Sequence, residues 1–343
     1  MDTFRRATRA TRASSATRAF LILITIFVAC AVSAICSTPA CAQSFAQSYV
    51  VIDATTGHVL DGANMDKKLQ VASLTKIATA MVVLDWKEAT KADLNQLATV
   101  PQSAAALGGD QVLGLQPGDQ MSMRDLLYAA LLMSDNTAAL TLANHVGQSL
   151  PRAADVPAEY AFVAQMNALA RKLRMEHTLF LNPHGLDGMK GKLPYSSSGD
   201  MARLAAYAMD RAEFRFYVSQ KEREVTVIHM DNTQARFGLR NTNELLGSDS
   251  HPVPQDGAPI DGVKTGTTEH AGQCLIISAA RKPDSVKNGD NNYTITPRRL
   301  IVVVLGAGDR FKAANGLIIR GWQLYDTWAA KGRALKREEA LVL

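Results

Sequence analysis

The sequence predicts an α+β fold in which N- and C-terminal segments form one antiparallel sheet, with an associated all-helical region between them. Three observations predict it: a strand hairpin early in the chain, helical periodicity through the middle, and apolar strand runs followed by one final helix. Strands that bracket helices favour a single unit whose terminal segments share a sheet. The 343 residues and 47% hydrophobic content are enough to bury such a core.

The first 42 residues differ from the rest of the chain. An apolar run, Phe20–Ala34, follows a basic stretch that contains Arg5, Arg6, Arg9, Arg12 and Arg18. Small residues, Ala40-Cys41-Ala42, come next, and this order predicts a signal peptide over 1–42, cleaved after Ala42 or, as second choice, Ala34. A retained N-terminal membrane anchor is the alternative, because about 17 apolar residues can span a bilayer.

The leader also distorts the whole-chain statistics. It holds five Arg and one acid, so without it the formal net charge falls from +5 to +1, and no nucleic-acid surface is predicted. Only Cys274 lies beyond the leader, inside the apolar run CLIISAA, which predicts a small buried hydrophobe. The seven His are scattered without paired-ligand spacing, so neither a metal nor a cofactor is predicted.

The first half of the chain after the leader reads as a hairpin and then helices. Ser48–Asn64 predicts the hairpin, because two extended runs flank a turn at Gly57. Helical periodicity predicts helices over Leu74–Trp86, Ser122–Met133, Asp135–His145, Ala158–Leu173 and Gly199–Arg211.

Strand patterns dominate after Arg211. Strands are predicted over Arg223–His229, 262–268, 272–281 and 300–308, with a loop and turn over 237–247 and a last helix over Lys312–Ala330. The polar, turn-rich stretch Lys282–Arg299 predicts an exposed loop. We therefore expect one folded domain over 43–331 and a short tail over 332–343, whose mixed charges make a weak membrane helix.

Ser73 and Lys76 are the first candidate site residues. Three residues apart on a predicted helix, they share one face. At a helix start, unpaired N–H groups and the positive dipole end favour a developing oxyanion, and burial of Lys76 would lower its pKa so that a neutral amine takes the Ser73 proton. Taken alone, a serine N-cap and a lysine that reaches to solvent explain the pair better.

Two further motifs follow in order. Ser134-Asp135-Asn136 ends the helical run LLYAALLM, where a polar turn is the simpler interpretation. The stretch 264–267, Lys-Thr-Gly-Thr, lies on a predicted strand, where its glycine would let a ligand backbone approach and its lysine and hydroxyls offer donors to a carboxylate. Taken alone, this stretch is typical of an edge strand whose lysine prevents pairing with a strand of another molecule. The three motifs occur together, each in its expected context, and the probability that this happens by chance is small.

The ordered set S-x-x-K, S-D-N and K-T-G is shared by class A β-lactamases and penicillin-binding proteins. Over about Ser48–Trp328 the chain resembles low-molecular-mass penicillin-binding proteins, specifically serine-type D-alanyl-D-alanine carboxypeptidases, and the likeness includes the stretches NPHGLDG, YSSSGDMARLA and RNTNELLG. The resemblance implies a β-lactamase/transpeptidase-like fold. It also implies an exported enzyme, in the periplasm or at the outer face of the inner membrane, that removes the terminal D-alanine from peptidoglycan stem pentapeptides and is acylated by β-lactam antibiotics.

The resemblance further implies a role for each motif residue. Ser73 would be the acylated nucleophile, Lys76 its general base, and Ser134 a proton relay toward the leaving amine. Asn136 would hold the peptide amide and position Lys76, and Lys264 would strengthen the electrostatics. The terminal carboxylate would bind Thr265 and Thr267 beside Gly266, and the backbone N–H groups of Ser73 and Thr267 would form the oxyanion hole. The identity of the acylation base stays open, because it is disputed within this motif class.

Three alternatives to the carboxypeptidase use the same fold. An endopeptidase that cuts peptidoglycan cross-links would use the same residues. A class A β-lactamase would need an E-x-x-L-N motif, and the candidate Glu159 lacks Leu-Asn at the right offset. A non-catalytic peptidoglycan binder conflicts with the complete motif set.

Overall fold

Nine strands and seven α-helices make up the described chain. The computed structural model describes residues 46–107, 112–187, 192–247, 258–289, 292–335 and 340–341. Its strands are β1 Ser48–Asp53, β2 Val59–Ala63, β3 Leu97–Thr99, β4 Gln120–Ser122, β5 Glu222–Ile228, β6 Gln234–Arg240, β7 Ile260–Thr268, β8 Gly272–Lys287 and β9 Tyr293–Ala307. Its helices are α1 Lys76–Thr90, α2 Met123–Tyr128, α3 Asn136–Gln148, α4 Ala158–Lys172, α5 Ser198–Asp210, α6 Ala212–Val218 and α7 Arg310–Ala330.

A five-stranded antiparallel sheet joins the two ends of the described chain in the order β2-β1-β9-β8-β7. The first strand pairs with the last, so that Val50 lies opposite Val303. The predicted sharing of one sheet by terminal segments is therefore confirmed, and with it the α+β fold class.

Both faces of this sheet are buried, which explains its nearly continuous apolar runs. Alternate residues of β9 pack in opposite directions: Val303 faces the helices between β2 and β7, whereas Val302 faces α7. The first and third sequence motifs meet where residues 72–75, directly before α1, approach β7.

A second, four-stranded sheet has the order β3-β4-β5-β6. Strands β3 and β4 lie between the predicted helices, whereas β5 confirms the strand predicted over Arg223–His229. Both β3 and β4 have three residues each, too short for the two-residue alternation to be recognised. Two predicted helices are irregular at one end. A 3-10 turn, Ala72–Thr75, precedes α1, and a π-helical turn, Ala129–Met133, follows α2.

Two loop predictions were wrong. Residues 237–240 of the predicted loop 237–247 complete β6, because Phe237 pairs with Val225 of β5. Most of Lys282–Arg299 extends β8 and β9 into a two-stranded ribbon. The ribbon is held against α7 by arginines: Arg281 lies 4.0 Å from the centre of the Trp322 ring, and its guanidinium also donates to Asp326.

The predicted signal peptide, 1–42, lies outside the described residues, and the domain boundaries remain predictions. Of the tail, residues 340–341 return to the first hairpin, where the Leu341 N–H donates to the Gly57 carbonyl over 2.8 Å. Among the described residues, none of the helices combines the length and apolar character needed to cross a bilayer.

Candidate active site

Ser73 lies in the 3-10 turn that precedes α1, and its side chain is half-buried. The preceding residue, Ala72, has a φ of +48°, a left-handed conformation that a non-glycine residue adopts at a cost of about 1–2 kcal/mol. Strain of this kind concentrates at functional sites. Here it turns the chain sharply just before the hydroxyl.

The Lys76 amine is fully buried and sits among three oxygen atoms. Its Nζ lies 2.8 Å from Ser73 Oγ, 2.8 Å from Asn136 Oδ1 and 2.8 Å from the His184 carbonyl oxygen. The latter two oxygens only accept hydrogen bonds, whereas a hydroxyl also donates. A charged Lys76 can donate to all three oxygens. In its neutral form the amine has two N–H donors and one lone pair, and once the two N–H groups are given to Asn136 and His184, the lone pair points at the Ser73 hydroxyl. The site therefore orients the neutral form of Lys76 as a base.

The second motif supplies one of these acceptors through the start of α3. Ser134 is in the left-handed conformation, with a φ of +67°, where the π-helical turn ends. Asp135 caps α3: its carboxylate accepts from Ala138 N at 2.8 Å and from Leu113 N at 3.2 Å. This capping places Asn136, the first residue of the helix, against Lys76.

The third acceptor comes from loop 182–187. Gly185 has a φ of +83°, and a Cβ atom there would lie 2.0 Å from the Ala72 carbonyl oxygen, so only glycine permits this contact. The loop is also held from α1, since Thr79 Oγ1 donates to Pro183 O over 2.6 Å. Burial, and then the Lys76 charge, lower the pKa of His184 to about 3, so its imidazole is neutral and accepts from Leu186 N.

Strand β7 passes the nucleophile at close range. A Cβ atom at Gly266 would lie 3.0 Å from Ser73 N, which places the Ser73 N–H beside the third motif. Thr265 is buried and its hydroxyl lies 2.6 Å from Thr242 Oγ1. Because Thr242 donates its own hydroxyl proton to Leu132 O at 3.1 Å, the Thr265 hydroxyl is the donor of this pair.

Lys264 is buried just beneath this surface, and its Nζ donates to Thr265 O over 3.1 Å. Burial, and then the positive charges of Lys76 and Arg310, hold the pKa of Lys264 well below its ordinary value. The buried amine is thus poorly compensated in the unliganded protein. An anion bound nearby would favour its charged form.

Arg310 lies at the exposed side of the same strand. Its Nη1 donates to Thr267 Oγ1 over 2.7 Å and to Gly266 O over 3.1 Å. Burial lowers the pKa of this guanidinium, yet an arginine in a protein stays charged. It therefore presents a fixed positive charge beside an exposed threonine hydroxyl.

The structure brings residues of the three predicted motifs together near Ser73. Lys76 contacts both Ser73 and Asn136, and the backbone of Gly266 passes close to Ser73 N. Lys264, Thr265 and Thr267 lie on the same strand as Gly266, and Ser134 follows the π-helical turn, two residues before Asn136. Glu159 lies elsewhere, in the first turn of α4, where it accepts from Asn144. Sequence reasoning missed the His184 carbonyl, Thr242 and Arg310. A backbone acceptor carries no residue-type signal, and Arg310 is distant from the motifs in the chain.

The chain matches known proteins over most of its length. The family model described as D-alanyl-D-alanine carboxypeptidase, peptidase S11, matches residues 35–289. The D-alanyl-D-alanine carboxypeptidase DacC of Escherichia coli (strain K12) is 35% identical over 291 residues, which cover 82% of this chain and 62% of that protein. The D-alanyl-D-alanine endopeptidase of Pseudomonas aeruginosa is 32% identical, covering 67% of this chain and 66% of that one. The chain thus spans about three fifths of the length of the curated relatives it matches.

Solved structures agree with the fold. The Streptomyces K15 DD-transpeptidase superposes with a TM-score of 0.66 at 25% identity, covering 81% of this chain and 97% of that one. Penicillin-binding protein D2 of Listeria monocytogenes, solved in its ampicillin-bound form, gives a TM-score of 0.60 at 28% identity with 81% and 97% coverage. By family match and by fold, the chain belongs to the D-alanyl-D-alanine carboxypeptidase family of serine peptidases.

Proposed function

We propose that the protein is a serine D-Ala-D-Ala carboxypeptidase that removes the terminal D-alanine from peptidoglycan stem pentapeptides through an acyl-enzyme on Ser73. The observation that carries this proposal is the Lys76 amine held 2.8 Å from the Ser73 hydroxyl by two obligatory acceptors. An amine so oriented has one clear chemical use, which is to take the proton of the hydroxyl.

The acylation step follows from this geometry. Lys76 accepts the Ser73 proton as Oγ attacks the carbonyl carbon of the penultimate D-alanine, and the N–H groups of Ser73 and Thr267 stabilise the oxyanion. The C–N bond then breaks, and Ser134 relays the proton to the departing D-alanine amine, while Asn136 holds the peptide amide. Water hydrolyses the resulting ester and restores Ser73.

The terminal carboxylate is bound at the exposed side of β7. Arg310 and Thr267 offer donors there, and Lys264 adds a charge that the carboxylate itself would stabilise. Thr265 contributes only if its hydroxyl turns away from Thr242, to which it donates in the unliganded protein.

β-Lactam antibiotics would acylate the same serine, since they present an amide that opens at the position of the scissile bond. The ampicillin-bound form of the Listeria protein supports this use of the fold. Peptidoglycan stem peptides require an exported enzyme, so the predicted leader places the protein in the periplasm or on the outer face of the inner membrane, anchored at its N-terminus if the leader is retained.

An endopeptidase that cuts cross-links is the second candidate, favoured by the likeness to the Pseudomonas enzyme. Purified muropeptides distinguish the two activities by mass spectrometry. Release of D-alanine from monomeric pentapeptides, absent in Ser73→Ala, is the result we expect. Conversion of cross-linked dimers to monomers without that release would assign the endopeptidase instead, and no change in either substrate would contradict both.

A further inference from the structure

Asp187 connects the end of β7 with loop 182–187, which carries the His184 carbonyl that contacts Lys76. Its Oδ1 accepts from Thr268 Oγ1 over 3.0 Å, and its Oδ2 lies 2.9 Å from His270 Nδ1. Thr268 is the last residue of β7, directly after Thr267. Asp187 itself lies three residues after His184. The Asp187 carboxylate therefore bridges β7, whose Thr267 N–H is assigned to the oxyanion hole, and the loop that carries the His184 carbonyl.

The bridge has a specific consequence for Lys76. Without the His184 oxygen, a neutral Lys76 amine could give an N–H to Ser73 and turn its lone pair elsewhere, because one of the two acceptors that hold its N–H groups away from Ser73 would be lost. Inside the loop, Asn182 Oδ1 accepts from Gly185 N over 2.6 Å, which fixes the loop's own shape and not its distance from β7.

We infer that Asp187 is a positioning residue: its carboxylate ties loop 182–187 to the end of β7 and thereby keeps the His184 carbonyl on the Lys76 amine. The inference rests on the proposed function for its catalytic consequence. The tether itself is a statement about the fold and holds or fails independently.

The two partners of Asp187 differ in their response to pH. The Thr268 hydroxyl donates at every pH, whereas His270 carries a charge only when protonated. The hydrogen bond and charge of Asp187, and more weakly the charge of Glu269, raise the pKa of His270, and these two carboxylates are the acidic groups that face it among the described residues. The ion pair is thus complete at acidic pH and weakens to a neutral hydrogen bond as pH rises through this raised pKa.

The matched variants are Thr268→Val, which removes the hydroxyl at constant shape, and Thr268→Ser, which keeps it. Hydrogen exchange of the peptide that covers loop 182–187 reports the tether, and the second-order rate of labelling by a fluorescent penicillin reports its consequence. We expect Thr268→Val and Asp187→Ala to exchange at least ~10-fold faster in this loop and to label about 10–100-fold more slowly, since a displacement near 1 Å costs about that much. Thr268→Ser should match wild type in both.

A pH profile separates positioning from simple destabilisation. Asp187→Asn replaces the carboxylate with an amide, whose oxygen accepts a hydrogen bond from either protonation state of His270 but carries no charge. We expect wild type to protect the loop most at acidic pH, and we expect both Asp187→Asn and His270→Gln to lose this pH dependence.

Each outcome has one meaning. Unchanged loop exchange in Thr268→Val and Asp187→Ala would overturn the tether. Faster exchange with wild-type labelling would overturn the positioning role. Failure of wild type to label at Ser73 would refute the proposed function, and the exchange data would still decide the tether.

Discussion

Gly185→Ala is a direct test of the contact between loop 182–187 and the turn before Ser73. The added Cβ would lie 2.0 Å from the Ala72 carbonyl oxygen and 2.5 Å from its carbon, so the two backbones must separate by more than 1 Å to reach ordinary contact. Left-handed backbone adds about 1 kcal/mol at an alanine, and overpacking against backbone adds about 1–3 kcal/mol. The predicted loss of unfolding free energy is therefore about 2–4 kcal/mol.

Gly332→Ala is the matched control. Its φ of +80° is close to the +83° of Gly185, but a Cβ there would meet nothing within 4 Å. The control has only the conformational cost of about 1 kcal/mol, and each kcal/mol lowers Tm by roughly 1–2 °C in a protein of this size. Thermal denaturation of both variants isolates the contribution of the contact.

The rate of acylation measures how the contact between Gly185 and Ala72 affects the active site. Because the separation moves the His184 carbonyl away from Lys76, we expect Gly185→Ala to react with fluorescent penicillin about 10²-fold more slowly, and Gly332→Ala to react like wild type. Equal Tm values for the two variants, or wild-type labelling by Gly185→Ala, would refute the reasoning.

Three further substitutions probe single groups. Lys264→Met should raise Tm at pH 7 and slow acylation, because a buried amine with a lowered pKa destabilises the folded state. The unfolded lysine keeps its proton up to a higher pH than the folded one, so wild-type stability rises, and the gain in Tm shrinks, as pH approaches the ordinary lysine pKa of about 10.5. Asn136→Leu should reduce the acylation rate at least ~10²-fold in stopped-flow measurements, since it removes one acceptor that orients Lys76. Arg310→Gln should raise KM about tenfold or more for peptides with a free terminal carboxylate and leave carboxyl-esterified analogues unchanged.

Each of these expectations has a clear contrary result. A lower Tm for Lys264→Met at pH 7 would mean that its amine is well compensated in the fold. Wild-type kinetics in Asn136→Leu would remove the two-acceptor argument. Equal losses on free and esterified substrates in Arg310→Gln would assign that arginine a structural role.

The sequence predicted the centre of the site because each motif couples a residue type to a local context. Ser73 and Lys76 are one helical turn apart, and Asn136 begins a helix capped by Asp135, but spacing and capping alone favoured simpler interpretations of each motif. The joint occurrence of the motifs and the resemblance predicted the site, and the structure places Lys76 2.8 Å from Asn136. The roles of these residues stay predictions.

The groups that were missed act through the backbone or across long separations. His184 contributes its carbonyl, which every residue has, so the loop histidine gave no signal of its position. Arg310 is brought to Thr267 only by the pairing of β7, β8 and β9, and that register is a property of the whole sheet.

The ribbon was predicted as a loop for a different reason. Polar, turn-forming residues over 282–299 suggest a loop, although Tyr293 and Ile295 alternate with Thr294 and Thr296 as in a strand. What holds the ribbon is its contact with α7, where Arg281 and Arg298 both reach Asp326. Such support depends on a partner surface that local sequence does not display.

Mass spectrometry of the intact protein after incubation with a penicillin, followed by peptide mapping, tests the central claim most directly. The account predicts a single added penicillin mass on the peptide that contains Ser73, lost in Ser73→Ala and formed far more slowly in Lys76→Ala at neutral pH. An unmodified wild type under saturating drug, or an adduct that persists in Ser73→Ala, would contradict it.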